Sequence, residues 1–178
     1  MYDDVPPEAT LHLLTGPWAS GKSSLAPHLA RLLPDVVVFD WDALLPGLSA
    51  ASGKDAHTDA STWPGLKAMW AAVVGSVLAG GRDVLLCGPT LPEDFAGTFV
   101  SLHPVRCAYL DCPDEILAER LRARGKTDAE IADELAFMVS LRQSDHTPVQ
   151  AVDRTPERTA AAVAAWVRRS TASRDRDG

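Results

Sequence analysis

The sequence predicts an α/β fold around a parallel sheet, and three observations carry that prediction. Short apolar runs alternate with stretches of helical periodicity along the chain. Residues Gly16 to Ser23 read G-P-W-A-S-G-K-S, a complete G-x-x-x-x-G-K-[ST] phosphate-binding loop. That loop lies between an apolar run, Ala9 to Thr15, and a helical stripe of Leu25, Leu29, Leu32 and Leu33, the context such a loop needs.

Five strands are expected, at about 10–15, 35–39, 83–87, 105–110 and 149–152. Pro27 sits early in the first helix, where the lost backbone hydrogen bond is tolerated. The clearest helix spans 63–80: Thr62 or Ser61 caps it, Pro64 fits its first turn and Gly80-Gly81 stops it. Its stripe of Leu66, Met69, Trp70, Val73, Val74, Val77 and Leu78 reads as a core face. Another helix starts at Pro113, a third opens on the capping box Thr127 to Glu130, and a fourth begins at Thr155-Pro156 and runs through Trp166. Residues 1–169 read as a single domain and 170–178 as a flexible polar tail.

The chain has 178 residues, enough for one domain with a substantial core. A net charge of −7 with no basic tract argues against nucleic-acid or anionic-membrane partners. No stretch is apolar enough to span a bilayer, and the acidic start, M-Y-D-D-V-P-P-E, is unlike a secretory signal, so a cytoplasmic protein is expected, monomeric or homodimeric. Cys87, Cys107 and Cys112 lack C-x-x-C spacing and read as reduced, mostly buried thiols.

In a parallel sheet, chemistry gathers beyond the C-terminal strand ends. Here those are the loop, Asp40-Trp41-Asp42, Gly88-Pro89-Thr90, Asp111 and Asp153-Arg154-Thr155. In the loop, Gly16, Pro17, Trp18, Ala19, Ser20, Gly21, Lys22, Ser23 and Ser24 offer main-chain amides and the end of a helix to a nucleoside triphosphate. Lys22 supplies a point charge for the β- and γ-phosphates, and the Ser23 hydroxyl is a ligand for Mg²⁺. Asp40 and Asp42 can take a hydroxyl proton or hold the water shell of Mg²⁺; the alternative for Asp42 is a helix cap. Arg120 and Arg124 share a helix face, fit to stack on a base and clasp phosphates, while Arg122 points elsewhere; cations also favour helix C-termini on their own account. Arg142 continues an apolar face with Ile131, Leu135 and Met138, so it needs a partner, either a phosphate or an acidic side chain. His57 and Asp59 occupy a polar stretch that reads as a surface loop or a cover over the crevice; Thr90, Glu93 and Asp94 are comparable candidates for touching substrate.

These residues resemble the small P-loop kinases of the nucleotide-kinase-like class, which includes shikimate and gluconate kinases, chloramphenicol phosphotransferase and zeta-toxin-like kinases. The resemblance covers about residues 9 to 169 and rests on G16-P-W-A-S-G-K-S23, D40-W-D42 and Y109-L-D-C-P-D-E-I-L-A-E-R-L-R-A-R-G125. It implies a three-layer fold with a five-stranded parallel sheet ordered 2-3-1-4-5 and a short lid. It implies ATP and Mg²⁺ as cofactors. Asp40 would be a general base or metal-shell ligand, Asp42 would meet substrate, and Arg120 and Arg124 would contact adenine and phosphates. The V152-D-R-T155 segment is similar to the adenine-side loop of these kinases, which brings in Arg154. The sequence departs from nucleotide kinases at Cys87-Gly88, where they often carry an aspartate, and it lacks D-G-x-P-R.

The expectation is therefore an ATP-dependent kinase of a small-molecule hydroxyl, with Lys22, Asp40, Arg120 and Arg124 catalytic, Ser23 and Asp40 at the metal, and Asp42, Thr90 and Arg142 at the substrate. A nucleoside, nucleotide or polynucleotide 5′-hydroxyl kinase is the first rival. A nucleotide-binding regulator without an acceptor is the second, although no N-K-x-D guanine signature is present.

Overall fold

A computed structural model describes residues 9–151 and 155–177 of the chain, and side chains as far as 172. Five parallel strands form one sheet: β1 (Leu11–Thr15), β2 (Val37–Asp40), β3 (Val84–Cys87), β4 (Val105–Asp111) and β5 (Thr147–Gln150), in the order β2-β3-β1-β4-β5. The order is the expected one, and each strand overlaps its expected run. β1 lies at the centre, Leu13 opposite Leu86 on one side and Cys107 on the other. Every residue of β1 and β3 is buried, as strands flanked by helices on both faces must be, including the polar His12 and Thr15 of β1.

Strand alternation sends side chains into two cores. Leu11, Leu13, Val84 and Leu86 pack with Leu66, Trp70, Val74 and Leu78 of helix α3 (Trp63–Ala79). Leu14, Leu85, Ala108 and Leu110 pack on the other face with Leu25 and Leu29 of α1 (Lys22–Leu32) and with Val163 and Trp166 of α6 (Pro156–Asp177). A third cluster joins Ala19 and Tyr109 to Leu117 and Leu121 of α4 (Asp114–Ala123) and to Ile131, Met138 and Leu141 of α5 (Asp128–Gln143). It sits directly under the phosphate-binding loop.

Several local expectations are corrected. Met69 is 40% exposed, at the solvent margin of α3 rather than in its buried face. Neither Thr62 nor Ser61 caps that helix by its side chain. α3 instead continues from a 3-10 turn, Ala60–Thr62, whose cap is the Asp59 carboxylate accepting from the Ser61 N–H at 2.9 Å. The capping box of α5 forms as expected: Glu130 N–H donates to Thr127 Oγ1 at 3.3 Å, and Thr127 N–H donates to Glu130 Oε2 at 2.8 Å. Helix α6 runs past Arg169 to Asp177, so the expected tail from residue 170 is helical through that point. Helix α2 (Leu45–Ser52), preceded by the 3-10 turn Trp41–Leu44, completes the set.

Candidate active site

The loop between β1 and α1 bends through three left-handed residues, Gly16 at φ +150°, Ala19 at +62° and Gly21 at +110°. Glycine takes that conformation freely, whereas Ala19 adopts it at a cost of about 1 kcal/mol, held there by its neighbours. The bend wraps around Lys22, whose Nζ donates to the carbonyls of Gly16 (2.7 Å) and Pro17 (2.8 Å) and to Ser20 Oγ (3.2 Å). Burial pushes this ammonium down to about 8, against the opposing pull of Cys87, Glu134, Asp42 and Asp40. Ser23 and Ser24, at the start of α1, are exposed beside it.

Arg120 braces the loop from α4, its Nη1 lying 3.3 Å from the carbonyl oxygens of both Ala19 and Ser20. Arg124, one helical turn on, faces open space between two cavities. Both arginines of the expected pair line the first cavity, Arg120 engaged by the loop carbonyls and Arg124 exposed. Arg122 lines neither cavity.

Three cavities follow one another along the rim of the sheet. The first, about 370 Å³, lies between Gly21, Ser24 and Leu25 on one side and Arg120, Ala151, Thr155 and Thr159 on the other. Arg154 falls outside the described residues, so its expected place here carries no structural description. The second, about 90 Å³, is lined by Lys22, Ser23, Asp40, Asp42, His57, Gly88 and Pro89, with Arg124 shared with the first. The third, about 230 Å³, shares Trp18, Asp42, His57 and Pro89 with the second.

At the end of β2, Asp40 rather than Asp42 is the cap. Its Oδ1 accepts the Asp42 N–H at 3.2 Å, which leaves the Asp42 carboxylate to the crevice. The Asp42 carboxyl is held above the ordinary carboxylate range, first by desolvation and then by Asp40; His57, Lys22 and Arg124 oppose the shift. Asp40 borders only the second cavity, whereas Asp42 borders the second and third. Gly88 follows β3 where an aspartate was noted as missing. A Cβ there would lie 2.5 Å from Trp41 Cβ, so the indole of Trp41 takes the space a side chain would need.

Two expected substrate residues stand elsewhere. Arg142 is paired with acids: Nε and Nη2 bond Asp111 Oδ1 at 3.0 and 2.9 Å, and Nη1 bonds Asp114 Oδ1 at 2.8 Å. Of the two partners expected, the acidic side chain is present, and Arg142 lines none of the three cavities. Thr90 is buried behind Pro89, with a hydroxyl that has no hydrogen-bond partner. Pro89 faces the crevice in its place.

Other residues enter the site without a sequence signal strong enough to select them. Glu134 of α5 accepts the Trp18 N–H through Oε2 at 2.7 Å, tying that helix to the loop. Trp18 is in contact with the His57 ring, centroids 4.7 Å apart, and with Lys126 Nζ, 4.5 Å from a ring centroid. His57 stood out only as one polar residue in a polar stretch. Asp59, its companion there, is a turn cap. Glu93 lines none of the three cavities, and Asp94 is engaged by Lys67.

Beside the His57 ring and the buried Cys87 thiol, the second cavity carries a set of oxygen donors: the Ser23 hydroxyl and the carboxylates of Asp40 and Asp42. That donor set fits a hard cation such as Mg²⁺. Among the described residues, no group of three or more His, Cys, Asp or Glu could hold a metal alone. A cation here would complete its shell with phosphate oxygens and water. All three cysteines are free thiols, and burial pushes Cys87 and Cys107 up to about 12, so neither is a reactive thiolate.

The fold has counterparts among solved structures. The Deinococcus radiodurans tunicamycin resistance protein superposes with a TM-score of 0.65 at 16% identity, over 89% of this chain and 95% of that one. Shikimate kinase from Aquifex aeolicus gives 0.61 at 17% identity, over 91% and 98%. A gluconokinase from Sinorhizobium meliloti 1021 gives 0.51 at 22% identity, over 91% and 94%. At these identities the likeness is one of fold, the P-loop kinase fold. A search of curated proteins finds no match. The AAA domain profile matches residues 11–147, from β1 with its phosphate loop through the whole of α5, and on that match the chain belongs to the AAA domain family of P-loop proteins.

Proposed function

We propose that this protein is an ATP-dependent phosphotransferase that moves the γ-phosphoryl group to a hydroxyl of a small molecule. One observation carries the reading: three cavities adjoin through shared lining residues, the first beside Arg120 and Thr155, the second at Lys22 and Ser23, the third beyond Asp42. A nucleotide switch needs only the first two parts. A chamber beyond the carboxylates gives a second substrate somewhere to sit.

Residue roles follow from position. The base of ATP lies between Arg120 and Thr155, and the loop amides take the phosphate oxygens. Lys22 exchanges its loop carbonyls for the β- and γ-oxygens. Ser23 and Asp40, which border the phosphate region, would hold Mg²⁺, whose charge offsets that of the triphosphate. Asp42 borders the acceptor chamber, and its raised affinity for protons suits it to receive one from the attacking hydroxyl. The acceptor oxygen forms a bond to the γ-phosphorus as the bond to the β-bridging oxygen breaks; the proton goes to Asp42 and ADP leaves. Arg124 faces the region where charge spreads in the transition state.

The test is acceptor-dependent ADP release from Mg-ATP over a panel of alcohols, sugars, nucleosides and oligonucleotide 5′-hydroxyls, with phosphorus NMR of the product. A phosphomonoester formed by wild type and absent with Lys22→Ala is expected. Tight nucleotide binding with no acceptor-dependent turnover on any class would refute the proposal. Asp42→Asn should lower kcat by about a hundredfold or more while the Kd for Mg-ATP stays within about twofold, the size of a lost general base.

A further inference from the structure

The acceptor chamber has a chemical character of its own. Trp18, Trp41, Trp63, Phe137, Leu45 and Leu66 form its walls. Trp63 is 45% exposed at the rim, a large aromatic that the core does not account for. Two carboxylates, Asp42 and Glu134, border the same space. Among the described residues of that lining, Lys67 is the one lysine or arginine, and its Nζ is already ion-paired with Asp94.

Resting on the phosphotransferase reading, we propose that the acceptor is an uncharged or cationic alcohol with an aromatic or branched apolar body, its hydroxyl at Asp42 and its body between Trp41, Trp63 and Phe137. An acceptor bearing a carboxylate would enter a chamber edged by two acids, where among the described lining residues the one lysine is already ion-paired and the other basic side chain is the His57 imidazole, in contact with the Trp18 ring. A polyol would leave most of its hydroxyls against indole and aliphatic surface, short of hydrogen-bond partners. An apolar body gains from those same walls, and an ammonium group would meet both the carboxylates and the ring faces.

The experiment measures binding to the protein loaded with Mg-ADP, by saturation-transfer NMR competition. The probes are phenylalaninol, 3-phenyl-1-propanol, 3-phenyllactate and gluconate, tested on wild type and on Trp63→Ala. That tryptophan is exposed, so its removal should leave the fold intact. The two non-acidic aryl alcohols should bind about tenfold or more tighter than phenyllactate, equivalent to about 1.4 kcal/mol, and gluconate should not compete. Both aryl alcohols should weaken at least about fivefold in Trp63→Ala, as expected for loss of an aromatic anchor. Equal or tighter binding of the acid, competition by gluconate, no aryl alcohol bound, or indifference to Trp63→Ala would each overturn the assignment. Failure of wild type to bind Mg-ADP at all would instead refute the phosphotransferase reading beneath it.

Discussion

At the scale of single residues, Lys22 and Gly88 make the sharpest claims. Lys22 is charged below about 8 in the free protein and neutral between that value and its ordinary 10.5. A bound triphosphate favours the charged form and so raises this pKa again. The sign follows: binding near neutral pH takes up almost no proton, while binding at about pH 9 takes up nearly one per nucleotide. Affinity should also fall as pH rises through 8. Calorimetry in two buffers of different ionisation enthalpy reads the uptake directly, and none at the higher pH would mean that Lys22 does not meet phosphate. Gly88 makes a steric claim, because a Cβ there would meet Trp41. Gly88→Ala should destabilise the fold by about 1–3 kcal/mol in urea titrations, the usual cost of overpacking. It should also weaken acceptor binding more than Mg-ADP binding, since Trp41 walls the acceptor chamber. A neutral substitution would show that Trp41 is free to move aside.

At the scale of elements, Arg142 is a tie between α5, the end of β4 and the start of α4. Its guanidinium is partly exposed, so solvent screening limits the worth of the fork to about 1 kcal/mol. Arg142→Ala should lower stability by about that amount, less in high salt, and leave the KM for ATP within about twofold. A large rise in KM would return Arg142 to the substrate side. The same residue marks where sequence reading stops. Its face on the helix called for a partner, but the carboxylate that answers stands 31 positions away on another element. The central strands were legible because burial on both faces makes β1 and β3 largely apolar, whereas the edge strand β5, exposed at three of its four residues, overlaps its expected run only at 149–150. The phosphate side of the groove was legible because G16-P-W-A-S-G-K-S23 is contiguous, so chemistry and spacing sit in one string. The acceptor chamber had no such string. Trp18, Trp41, Trp63 and Phe137 come from the loop, the end of β2, α3 and α5, and only the fold brings them together.

At the scale of the whole molecule, the loop stands where the three apolar clusters meet. It leaves β1, whose side chains feed both faces of the sheet, and it enters α1. Through Ala19 it also packs on the α4–α5 cluster. A ligand gripping the loop should therefore stabilise all three clusters as one unit, because unfolding any of them releases it. At about a hundred times its Kd, Mg-ADP should add about 2.7 kcal/mol. For a chain of this size that corresponds to a rise in Tm of about 5–10 °C, in a single transition that near-UV circular dichroism and calorimetry report alike. Lys22→Ala should melt within a few degrees of wild type without nucleotide, because relief of a buried ammonium is offset by the loop acceptors it leaves unpaired, yet it should lose most of the ligand-induced rise. Two separate transitions, with only one moving on addition of Mg-ADP, would mean that α4 and α5 unfold independently of the sheet. The arginines at the end of α4 would then reach the nucleotide from a unit with a stability of its own.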